Sequence, residues 1–73
     1  NIIRNGAHIA PGVKLAGRVE VGEESFVGIG AVVIQNVKIG RNSIIGAGAV
    51  VLKDIPDNVV VVGIPAKIVK ENI

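Results

Sequence analysis

One imidazole is available to this chain of 73 residues, that of His8, and there is no cysteine. Imidazole is the side chain best suited to take or give a proton near neutral pH. Without cysteine there is no thiolate nucleophile, no disulfide framework and no Cys metal site. A lone histidine also falls short of the several ligands a zinc site needs within one chain. The remaining chemistry lies in two kinds of residue. Gly-rich stretches, Val27-Gly28-Ile29-Gly30 and Ile45-Gly46-Ala47-Gly48, offer backbone N–H groups beside small side chains. Lys53, Lys67 and Lys70 come late in the chain, and isolated lysines of this kind are ordinarily solvated surface. The net charge of +2 permits anion binding. Scattered basic residues with a single aromatic, Phe26, argue against a general nucleic-acid role.

The elements that must position these groups follow from a period of six. Ile3, Ile9, Leu15, Val21, Val27, Val33, Ile39, Ile45 and Val51 form an unbroken ladder of branched aliphatics. A short fixed period of this kind marks a solenoid rather than a globule. Three positions after each ladder residue stand Gly6, Gly12, Arg18, Glu24, Gly30, Asn36, Asn42, Gly48 and Asp54, mostly residues that tolerate a left-handed backbone. Pro11-Gly12 has the form of a type II turn centre. One position further the residues are small or β-branched, and strand alternation points them inward with the ladder. Each hexad is therefore a short strand and a tight turn. Three hexads close a triangular coil of 18 residues, so residues 3–56 predict an all-β solenoid of about three coils.

Stacking at 18 residues sorts the outward side chains into columns. One face carries His8, Phe26 and Ile44, the next Lys14, Val32 and Val50, the third Glu20, Lys38 and Pro56. Corners stack Pro11, Ile29 and Ala47, then Gly17, Gln35 and Lys53, then Asn5, Glu23 and Arg41. The exterior is apolar on one side, which predicts a homotrimer joined through Phe26, Ile29, Val32, Ile44 and Val50. On the opposite side Glu23 is placed to pair with Arg41 and Glu20 with Lys38. The six-step stops at Asp57, so residues 57–73 read as a cap in which 66–72 form a short helix. The whole of 1–73 is expected to be one domain. The ladder is already running at Ile3, as in an excerpt from a longer chain. No apolar run reaches membrane-spanning length, and a cytoplasmic location is expected.

The hexads, with His8-Ile9-Ala10-Pro11-Gly12-Val13, Leu15-Ala16-Gly17 and Gly63-Ile64-Pro65-Ala66-Lys67, resemble the hexapeptide-repeat acyltransferases. Within these the chain is similar to the sialic acid O-acetyltransferase-like enzymes and the UDP-4-amino-sugar N-acetyltransferases. The resemblance implies a left-handed parallel β-helix and acetyl-CoA bound in a cleft between the β-helices of a trimer. It places the pantetheine arm along Gly17, Ile29 and Ala47, and the phosphates near Lys53 and Lys67, with Lys70 a weaker candidate. His8 matches the second of two family histidines nine residues apart, the one that contacts the acetyl group. The first, the main base, would fall two positions before Asn1. The implied reaction is acetyl transfer to an amine or hydroxyl of a sugar, free or nucleotide-linked, with no metal. The alternative is a trimerising β-helix scaffold without catalysis. Two other β-helix functions fit poorly, since zinc carbonic anhydrases need more histidines and ice-binding helices need threonine, which is absent.

Overall fold

The computed structural model describes residues 1–72. Its strands in chain order are β1 (Ile2–Ile3), β2 (His8–Ile9), β3 (Lys14–Leu15), β4 (Glu20–Val21), β5 (Phe26–Val27), β6 (Val32–Val33), β7 (Lys38–Ile39), β8 (Ile44–Ile45), β9 (Val50–Val51), β10 (Val59–Val62) and β11 (Lys67–Glu71). In β2 to β9 the first residue of each pair points out and the second is the ladder residue, pointing in. The strands stack into three faces of a left-handed parallel β-helix: β1-β4-β7, β2-β5-β8-β10-β11, and β3-β6-β9. No helix long and apolar enough to cross a membrane occurs among the described residues.

Register follows the ladder. Ile9 pairs with Val27 and Val27 with Ile45, while Leu15, Val33 and Val51 do the same on the next face. Val21, Val27, Val33, Ile39 and Ile45 are wholly buried because each has chain packed on both sides, and Val51 is wholly buried because the turn at 63–66 covers the outer edge of β9. Ile3 is 45% exposed, since only one coil packs on it. The corners turn through a left-handed residue at each predicted position from Gly6 to Gly48, including Arg18 and Glu24 at φ 60°. Two buried hydroxyls serve the corner between the first and second faces. The Ser25 hydroxyl donates to the Gly40 carbonyl and accepts from the Ser43 N–H. Ser43 repeats this one coil later, donating to the Pro56 carbonyl and accepting from the Val59 N–H.

The coil does not stop at Pro56; it slips phase. Ile39 pairs with Ile55 and Ile45 with Val61, so 16 residues separate partners that are elsewhere 18 apart. Two residues are missing from the corner at Leu52-Lys53-Asp54, and Asp54 takes no left-handed conformation. Its carboxylate accepts the Lys38 N–H at 2.9 Å, replacing a carbonyl the shortened corner cannot offer. Beyond the slip the hexad resumes. Asn58 turns left-handed under Asn42, whose side-chain amide donates to the Asn58 side chain at 2.9 Å. Val61 is wholly buried in the ladder.

Residues 66–72 are not helical. β11 runs antiparallel to β10 and covers its open edge. The β-branched Ile68 and Val69 favour strand, and β10 offers hydrogen-bonding partners that a helix would leave unused. The intervening turn closes the edge of β9, where Val50 donates to the Gly63 carbonyl and accepts from the Ala66 N–H. Asn72 then bonds back to Asn42 and Asn58. Of the expected surface pairs, neither Glu20–Lys38 nor Glu23–Arg41 forms among the described residues. Glu20 turns instead to Arg4 at 3.1 Å, where a guanidinium offers two nitrogens to one carboxylate.

Close stacking of coils imposes a further requirement, at the position directly after the ladder residue. A Cβ on Gly22 would lie 2.5 Å from the Gly40 carbonyl carbon, and one on Gly28 2.8 Å from the Ala47 nitrogen. A Cβ on Gly17 would meet nothing within 4 Å. Gly22→Ala is therefore expected to cost about 1–3 kcal/mol of stability in urea unfolding, the range for overpacking. Gly17→Ala should stay within about 0.5 kcal/mol. Equal costs would contradict this account of the packing.

Candidate functional site

His8 projects from β2 at the head of an outward column on the five-stranded face. Strand register sets Phe26 beside it, then Ile44, then Val60, then Lys70. The His8 and Phe26 rings are stacked, with centroids 4.9 Å apart and planes 2° from parallel. Strands spaced about 4.8 Å apart put Lys70 roughly 19 Å from His8. The column thus joins an imidazole to an ammonium across an apolar strip. Lys70 escaped sequence reasoning as a member of this column because the phase slip and the strand at 67–71 were both unread. Asn58 at the turn position of the Ile55 hexad was the signal that could have found the slip.

The corner beside the column stacks Pro11, Ile29 and Ala47. Gly30 donates to the Pro11 carbonyl at 3.2 Å and Gly48 to the Ile29 carbonyl at 2.8 Å. Ile29 is 63% exposed and Ala47 is exposed. The glycines here divide by role. Gly28 is required by backbone packing and Gly46 by the Val62 side chain, 2.8 Å from where a Cβ would stand, whereas around Gly30 and Gly48 a Cβ would meet nothing within 4 Å. The second pair leaves the corner open to an approaching molecule.

Gly17 lies elsewhere. It stacks on Gln35 and Asn36, whose N–H donates to the Gly17 carbonyl at 3.0 Å, across the β3-β6-β9 face from Ile29 and Ala47. Lys53 and Lys67 do come together. Both line a cavity of about 500 Å³ at the C-terminal end, with Asp54 and an apolar lining that includes Leu52, Pro65 and Ile68. Two lysines and one carboxylate in a mainly apolar lining suit an anionic group carrying an apolar part. Among the described residues no three of His, Cys, Asp and Glu converge as metal ligands would.

Known proteins share this architecture. Residues 18–53 match the pattern described as bacterial transferase hexapeptide (six repeats). A mutant perosamine N-acetyltransferase from Caulobacter crescentus, solved with CoA and GDP-perosamine, is 48% identical with a TM-score of 0.92. That match covers 94% of this chain and 33% of the other. The chain belongs to the hexapeptide-repeat transferase family. The acetyltransferase domain of PglB from Neisseria gonorrhoeae, solved with acetyl coenzyme A, is 46% identical with a TM-score of 0.85. There the match covers 86% of this chain and 31% of that domain. A serine acetyltransferase from Buchnera aphidicola is 49% identical over 69 residues, which are 94% of this chain and 19% of that protein. This hexapeptide-repeat chain therefore spans about a fifth of the curated relatives it matches and about a third of the solved structures.

Proposed function

We propose that the chain is the acetyl-CoA-binding β-helix of an acetyltransferase acting on a sugar amine or hydroxyl, free or nucleotide-linked. The observation that carries this reading is the likeness, over 94% of the chain, to a sugar N-acetyltransferase solved with CoA and its nucleotide sugar. The site's layout supports it. The thioester sits at His8, the pantetheine arm follows the open Ile29 and Ala47 corner, and the phosphates lie toward Lys53 and Lys67. Gly17, on a separate edge, serves the same coenzyme only from a neighbouring chain, which accords with a cleft between subunits. Residues 1–73 act as one domain, and the cytoplasm is the compartment that goes with a coenzyme A thioester.

In the reaction the acceptor nitrogen or oxygen attacks the thioester carbonyl carbon. The C–S bond breaks and coenzyme A leaves as the thiolate, while the acceptor proton passes to a general base other than His8. His8 donates to the carbonyl oxygen as negative charge gathers there. Its outward place beside the corner suits that role better than the role of base.

A trimerising scaffold would bind no coenzyme, and calorimetry with acetyl-CoA separates the two readings. Binding is expected, and Lys67→Glu should weaken CoA about fivefold more than it weakens 3′-dephospho-CoA, the worth of one partly exposed ion pair. No binding would favour the scaffold, and equal losses would remove Lys67 from the phosphate.

The assembly is a homotrimer through Phe26, Ile29, Val32, Ile44 and Val50. Since Ile29 is 63% exposed in the single chain, Ile29→Asp leaves the monomer fold intact while placing a charge in the contact. Sedimentation should show trimer for the parent sequence and monomer for the variant. A parent that sediments as monomer would end this proposal.

A further inference from the structure

We infer that Phe26 is the positioning residue for the His8 imidazole, an inference that rests on the acetyltransferase reading for what the imidazole does. Histidines that move protons or polarise a carbonyl are ordinarily oriented by an acceptor on the second ring nitrogen. His8 has none: among the described residues its imidazole enters no hydrogen bond and no ion pair. Its ring contact is the face of Phe26, at 4.9 Å and 2°.

That contact is built in by the sheet. His8 and Phe26 are direct register partners on adjacent parallel strands. The strand spacing of about 4.8 Å nearly equals the ring separation, so two like rotamers stack without adjustment. The Phe26 strand is itself anchored. Ser25 and Val27 on either side are buried, Phe26 donates its N–H to the Ser43 carbonyl at 2.9 Å, and Ile44 flanks it on the side away from His8. A face contact fixes the imidazole plane while leaving both nitrogens, which lie in that plane, open at the ring edge. One can donate to a thioester oxygen. A hydrogen-bonding partner would have occupied the other. Stacking therefore orients His8 without spending a nitrogen, and the only aromatic residue of the chain stands where it can do so.

Because the chain has one histidine and one phenylalanine, the imidazole resonances report the stack without assignment ambiguity. In the intact chain the His8 ring protons should lie upfield of their random-coil positions from the Phe26 ring current. Phe26→Leu should return them toward random coil with the backbone amide spectrum kept, and Phe26→Tyr should restore the shift. In parallel, calorimetry compares acetyl-CoA with CoA, since only the acetyl group meets His8. Phe26→Leu should reduce the preference for acetyl-CoA about two- to tenfold, the worth of an aromatic pair, and Phe26→Tyr should retain it. Unmoved His8 resonances in Phe26→Leu overturn the inference. So does a moved resonance with the acetyl preference intact, which would make the stack incidental. Failure of the parent chain to bind acetyl-CoA refutes the acetyltransferase reading instead, and the ring-current arm then still decides whether Phe26 holds the ring.

Discussion

Parallel, in-register stacking of one coil on the next is the constraint on which the rest of the structure depends. Each inward side chain must fit the one above and the one below at the spacing of a strand, and each corner must bring backbone onto backbone. Branched aliphatics meet the first demand, as in Val27 beneath Ile9 and above Ile45. Gly22 and Gly28 meet the second, where a Cβ would strike the next coil's backbone. The buried Ser25 and Ser43 show how polar atoms are admitted: each hydroxyl bonds to the coil beyond it, so the pairs stack like the aliphatics do.

Function is written on the outside of the same ladder. Because register is fixed within, outward residues 18 apart are forced into columns, and a site can be composed by choosing one residue per coil. His8, Phe26 and Ile44 form such a column, and the shortened corner at Leu52-Lys53-Asp54 ends it differently from a simple repeat. Dropping two residues brings Lys53 to the rim of the cavity that Lys67 shares. Asp54 and Asp57 then supply carboxylate acceptors to the Lys38 and Arg41 N–H groups of the preceding coil.

Much of this was readable from residue order, for physical reasons that differ by region. The turn phase was strong enough to place Arg18 and Glu24 in left-handed corners against their own preference, because the six other corners from Gly6 to Gly48 share that phase. The columns were equally legible, since strand alternation admits one inward set. The end of the ladder was not. A two-residue slip leaves no local mark except Asn58 and Val59 in resumed phase, and the strand at Lys67–Glu71 depends on an edge that exists only after β10 is in place. The site was legible as positions but not as relations. His8 and Phe26 were seen in one column, yet their stack follows from rotamers, and the gathering of Lys53 with Lys67 follows from the slip.

The central claim is that His8 meets the acetyl group of a coenzyme lying along the adjoining Ile29 and Ala47 corner. An isotope-edited nuclear Overhauser measurement between the acetyl methyl of bound acetyl-CoA and the His8 ring protons tests it most directly. Cross-peaks from the methyl to the imidazole, absent when CoA replaces acetyl-CoA, are the predicted result. Saturated binding with no such contact, the His8 resonances unmoved, would contradict it.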